Sequence, residues 1–138
     1  MSEAMKATAR RWFDEVINGR DASAIDSIYT SDYVHHTPGG RDFGTDVSKQ
    51  VAAALLEGFA ERHATIEDQL AESDRVATRF VSRGVQTGRW LGIDPTGLDV
   101  VVHGLLISRI EGDRIAEDWE LANTAQVIAE LRKAAGGD

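Results

Sequence analysis

Two glutamates and a pair of adjacent histidines carry most of the acid–base chemistry this sequence offers. In the stretch Arg114 to Leu121, alternation puts Ile115, Glu117, Trp119 and Leu121 on one face of a strand. Glu117 then stands between large apolar neighbours. A carboxylate there either meets a donor, such as Arg79 or Arg83 on another strand, or has its pKa raised by desolvation. The first outcome is a structural ion pair, and the second suits a general acid or base. Glu120 points to the other face of a regular strand, and a bulge within Asp118-Trp119-Glu120 would bring it round. His35 and His36 lie on extended chain and point opposite ways. His36 is the one expected in a pocket, with a histidine bonded to backbone beside the Pro38 turn as the alternative. Gln86 and Asn123 supply amides that orient a carbonyl but cannot shuttle protons. His103, Trp12, Trp90 and Trp119 complete the expected substrate-binding set, the tryptophans as apolar walls. His63 follows the charged pair Glu61-Arg62 and is expected at the surface or capping a helix.

Several chemistries are excluded. There is no cysteine, so disulfides, thiolate catalysis and thiolate metal sites cannot form. The four histidines are scattered without metal-ligand spacing, so no metal is expected. No glycine-rich loop joins a strand to a helix, and no Gly-x-Ser-x-Gly elbow occurs. No cofactor is expected. Fifteen basic residues against 23 acidic ones give a formal charge of −8, which repels phosphate backbones and anionic lipid. The start, MSEAMKATARRWF, has no apolar signal core, and the longest apolar run, Val100 to Ile107, is broken by His103 and Gly104. The expectation is a cytoplasmic protein with neither nucleic-acid nor membrane partners.

The elements that must position these residues follow from periodicity. The 138 residues form one domain over 1–138, with 42% apolar residues to build its core. Steps of three and four through Met5, Ala9, Trp12, Phe13 and Val16 predict a helix to about Asn18. Asp21 caps a second short helix reaching Tyr29, and Tyr33 to Gly40 is extended chain ending in a turn. Asp46 caps a third helix to about Glu61. The period then changes to two, and 65–72, 75–87, 98–110 and 114–121 read as strands joined by hairpins. A last helix spans 124–135, and Gly136-Gly137-Asp138 is expected to fray. Helices followed by a meander predict an α+β fold, with helices on one face of a mainly antiparallel, curved sheet enclosing a pocket.

Four segments carry a family resemblance. Gly84-Val85-Gln86-Thr87-Gly88, then Arg89-Trp90-Leu91, then Gly92-Ile93-Asp94-Pro95-Thr96-Gly97 resembles the signature loop of SnoaL-like polyketide cyclases and ester cyclases. Arg109 to Trp119, Tyr33-Val34-His35-His36-Thr37-Pro38 and Ser73-Asp74-Arg75-Val76 resemble other family segments in the same order. The resemblance implies the cone-shaped, NTF2-like roll shared with ketosteroid isomerases, assembled as a homodimer or homotetramer. It also implies cofactor-independent chemistry next to a carbonyl, an intramolecular aldol-type cyclisation or isomerisation of a small apolar or aromatic ligand. The alternative is a non-catalytic ligand-binding protein of the same fold. Glu120 matches the aspartate that acts as general acid/base in aldol-condensing cyclases, His36 the family's His-x-Pro position, and Asn123 a position often aspartate. His35 matches a pocket asparagine. Leu106 and Gln86 stand where the family has histidines. Trp90 and Leu91 should fold back over a pocket mouth or a neighbouring subunit.

Overall fold

The change from helical to two-residue period marks the boundary between layers in the computed structural model, which describes residues 2–136. Helix α1 (Ser2–Arg11) continues as a π-helical segment, Trp12–Asn18. Asp21 accepts the Ser23 N–H at 3.0 Å and caps a 3-10 turn that leads into α2 (Ile25–Ile28). Helix α3 spans Thr45–Gly58 without a side-chain cap, so Asp46 sits in its first turn, where the helix dipole still favours it. The chain then enters β2 (Arg62–Glu72), followed by β3 (Arg75–Val85), β4 (Asp99–Glu111), β5 (Arg114–Ala122) and α4 (Thr124–Ala134). The expected fraying of Gly137 and Asp138 lies outside the described residues.

Two features depart from the meander expected of the sequence. Tyr29 begins a strand, β1 (Tyr29–His36), and does not end a helix. That strand pairs parallel with β5, giving a mixed sheet in the order β1-β5-β4-β3-β2. The hairpins are local and legible; the β1–β5 pairing joins chain ends far apart and has no local signal.

The second departure sets side-chain direction in β5. Arg109 pairs with Glu117 while Ile110 pairs with Ile115, so Ala116 is an extra residue. This bulge reverses alternation within the strand. Ile115 faces the helices and is fully buried, and beyond the bulge Asp118 and Glu120 do so too. Glu117, Trp119 and Leu121 face outward. The expected common face of Ile115 with Glu117 and Trp119 is therefore broken at Ala116, two residues earlier than the bulge considered from sequence.

The concave face of the sheet and the helices enclose two linked apolar groups. One gathers Phe13, Ile17, Phe59, Phe80, Trp90 and Leu131. The other gathers Ile25, Ile28, Tyr29, Tyr33, Val76 and Ile115. No described helix is long and apolar enough to cross a membrane.

Candidate acid–base site

Strand pairing brings the ionisable groups together. His35 is the register partner of Asp118 on one side of β5, and Leu106 is the partner of Glu120 on the other. Cross-strand partners share a face, so His35, Asp118, Leu106 and Glu120 all line one inward cavity of about 80 Å³, together with Tyr29 and Tyr33. His35 is held by two backbone hydrogen bonds with Phe43 and by stacking on that ring at 4.7 Å.

The polar contacts form a directed chain. Tyr33 Oη donates to Asp118 Oδ2 at 2.8 Å and lies 3.0 Å from His35 Nδ1. The other imidazole nitrogen, Nε2, lies 3.4 Å from Glu120 Oε1. Burial opposes a charge on His35, but bonding to Asp118 and Glu120 outweighs it and raises the imidazole to about 9. At neutral pH His35 is therefore imidazolium, donating through both nitrogens, to Tyr33 and toward Glu120. Burial, with nearby Asp118 and Glu120 adding to it, raises the Tyr29 phenol; burial and then Tyr29 raise that of Tyr33. Both remain neutral hydrogen-bond donors. Asp118 is buried, and among the described residues neither its Oδ1 nor the hydroxyl of Ser108, its neighbour on β4, has a hydrogen-bond partner.

A second cavity, of about 280 Å³, shares Trp12, Phe13, Val51 and Glu120 with the first. Its remaining walls include Phe80, Trp90 and Leu91, with Arg62 and Ser82 as polar members. Trp12 and Trp90 both line this cavity. Trp90 packs edge-on against Phe59, and Leu91, at φ 51°, is half exposed at the same cavity.

The other expected residues lie elsewhere. His36 faces outward, with Nε2 2.6 Å from Glu117 Oε2 and Nδ1 2.9 Å from Asp42 Oδ2. Glu117 accepts a further hydrogen bond from Arg109 Nε at 3.0 Å, so its donors are His36 and Arg109 in place of Arg79 or Arg83. Those bonds, His36 first, lower the Glu117 carboxyl. Trp119 stacks on His36 outside the sheet, under the guanidinium of Arg75. His103 and His63 are exposed. Asn123 Oδ1 accepts the His103 N–H at 2.8 Å and ties the start of α4 to β4. Gln86 is fully buried: its amide donates to the carbonyls of Gly88 and Ile93, and its oxygen accepts from Thr96 N–H and Oγ1–H. All of its hydrogen-bonding capacity goes to folding the 87–97 loop.

His35, Asp118, Tyr29, Tyr33 and Arg62 were missed from sequence as site residues. Tyr33 and His35 share a strand face, so a strand placed from Tyr29 would have selected His35 over His36. Among the described residues, no group of three or more His, Cys, Asp or Glu is arranged to hold a metal ion.

No curated protein matches the chain. Among solved structures, AclR of Streptomyces galilaeus, a candidate hydroxylase, superposes with a TM-score of 0.84 at 24% identity, over 96% of this chain and 83% of its own. A SnoaL-like polyketide cyclase candidate from Jannaschia sp. CCS1 gives 0.82 at 21% identity, over 94% and 92%. IdmH of Streptomyces antibioticus, a candidate polyketide cyclase, gives 0.78 at 26% identity, over 92% and 97%. The α+β architecture is thus the NTF2-like roll of these proteins. The model of the SnoaL-like polyketide cyclases matches residues 7–131, nearly the whole chain, and the chain belongs to that family.

Proposed function

We propose that this protein is a cofactor-independent enzyme of the polyketide (ester) cyclase type, with Glu120 as proton shuttle and His35 as its cationic partner. One observation carries the reading. A carboxylate and an imidazolium converge 3.4 Å apart on the wall of a partly open cavity whose other walls include Trp12, Phe13, Phe43, Val51 and Leu106. A simple carrier needs the apolar walls but not this pair. His35 supplies from β1 the imidazole that Leu106 cannot supply from β4, so Glu120 keeps a histidine neighbour on its opposite flank.

The Glu120 carboxylate removes a proton from carbon next to a carbonyl. The enolate oxygen takes hydrogen bonds from His35 Nε2–H and the neutral Tyr29 phenol, donors already in place. The enolate carbon attacks a second carbonyl of the same molecule, and protonated Glu120 returns its proton to the new alkoxide. Holding a flexible substrate folded between Trp12, Phe13 and Trp90 supplies the entropic part of the rate enhancement. Asp118 and Tyr33 orient the imidazolium and sustain its charge.

The test is turnover of aromatic β-ketoesters by Glu120→Gln and His35→Asn variants. Loss of about 10²-fold or more in kcat is expected for E120Q, the size typical of a removed general acid/base. Turnover equal to the parent in both variants would end this reading and leave the binding-protein alternative. The reading also includes a homodimer or homotetramer formed through the outer face of the sheet, supported by the exposed Leu70, Leu105, Ile107 and Leu121 on that face.

A further inference from the structure

The larger cavity ends in a charge without a counter-charge. Arg62 opens β2, and alternation turns it inward on the same face as Ala64; both line the cavity. Its guanidinium lies 4.7 Å above the Phe59 ring, and its Nε finds no acceptor among the described residues. Burial alone lowers its pKa, to about 10, with no carboxylate acting on it. At the Glu120 end His35 has Asp118 and Glu120 oxygens at 3.9 and 3.4 Å, whereas Arg62 has no such carboxylate among the described residues. Beside it, Ser82 pairs with Ala64, one inward position along from the Arg62–Gly84 pair. The Ser82 hydroxyl is also buried, has no hydrogen-bond partner among the described residues and belongs to the same cavity wall.

Arg62 as a residue is only partly buried and also borders an open surface groove, but its Nε–H is buried on the cavity side, and a buried donor on a cation is unfavourable unless an acceptor completes it. The guanidinium edge presents parallel N–H donors that match the two oxygens of a carboxylate, and the serine hydroxyl adds a third donor. Glu120 lines the other part of this cavity. We infer that the substrate is an aromatic or polycyclic carboxylic acid, its carboxylate held by Arg62 and Ser82 while its reacting carbonyls lie toward Glu120. This rests on the cyclase reading and narrows its substrate class, since a fully esterified ligand leaves Arg62 uncompensated.

The probes are 2-naphthoate and its methyl ester, titrated against the full chain at pH 7 by calorimetry and tryptophan fluorescence. The parent protein should bind the acid at least tenfold more tightly than the ester. In Arg62→Met that preference should vanish, while the unliganded variant melts at or above the parent temperature, because the orphan cation is gone. Equal binding of acid and ester by the parent, which needs no variant to fold, overturns the inference but leaves the cyclase reading to the E120Q result. Retention of the acid preference in R62M overturns it in the same way. Failure of both probes to bind sinks this inference together with the reading of the cavity as a substrate site.

Discussion

The charge on His35 depends on three neighbours from two strands: Tyr33 on its own strand, and Asp118 and Glu120 on β5. Its folded pKa, about 9, lies above the ordinary value of 6.5. Stability from the protonated form is therefore complete below about pH 6.5 and is lost as pH rises through 9. The melting temperature should fall across that window, by about 3 °C per kcal/mol lost for a domain of this size. His35→Asn should show a flatter profile. Turnover should fall over the same range, because a neutral imidazole no longer places a positive charge beside the developing enolate. A melting temperature that is level from pH 6.5 to 9 in the parent would contradict the assigned protonation. Glu117 and His36, by contrast, form a half-buried triad with Arg109 on the outer face, where solvent screening weakens it.

At the scale of elements, the 87–97 loop is docked at the end of α3. The Gly58 carbonyl accepts both the Thr87 and Gly88 N–H groups at 3.0 Å. A Cβ on Gly88 would lie 2.2 Å from the Glu57 carbonyl oxygen, which is backbone and cannot swing aside. Gly88→Ala should thus undock the loop and its Trp90 anchor, at about 2 kcal/mol or more, within the range of severe single substitutions. Thermal melting and a red shift of tryptophan emission would measure this; an unshifted spectrum and unchanged melting would refute it. Gly104 has a related role, since a Cβ there would collide with the Phe80 ring at the cavity wall. The π-helical segment Trp12–Asn18 places Trp12 and Phe13 on the walls of both cavities. Segments of this kind often occur at functional sites.

Across the whole molecule, the two faces of the sheet present different residues. One outward row crosses every strand: Leu70, Ala77, Ile107, Trp119 and His36 are successive register partners. Leu105 and Leu121 form the neighbouring pair, and Leu121 is 63% exposed. An apolar stripe of that extent is suited to burial against a second copy. Light scattering after gel filtration should give a dimer or tetramer for the parent and a monomer for Leu121→Asp. A parent that remains monomeric at micromolar concentration would remove the outer face as an assembly surface.

The α+β class, the hairpins of β2 to β5 and the glycine-rich loop were legible in the chain because each depends on neighbours a few residues apart. Alternation, turn residues and helical spacing are short-range patterns. The family motifs likewise pointed to the right scaffold, and Glu120 was a candidate because it matches the position of a family aspartate. Which side chains enter the cavity was settled by long-range pairing and by one inserted residue. The Ala116 bulge turns Glu120 inward and Glu117 outward, and the parallel docking of β1 on β5 turns His35 inward and His36 outward. A two-residue period fixes only relative directions within a strand, so any local error in phase exchanges the two faces completely. Arg62 is the same case in a different strand, an ordinary charged residue in the chain whose partly buried side chain borders the larger cavity on one side and an open surface groove on the other.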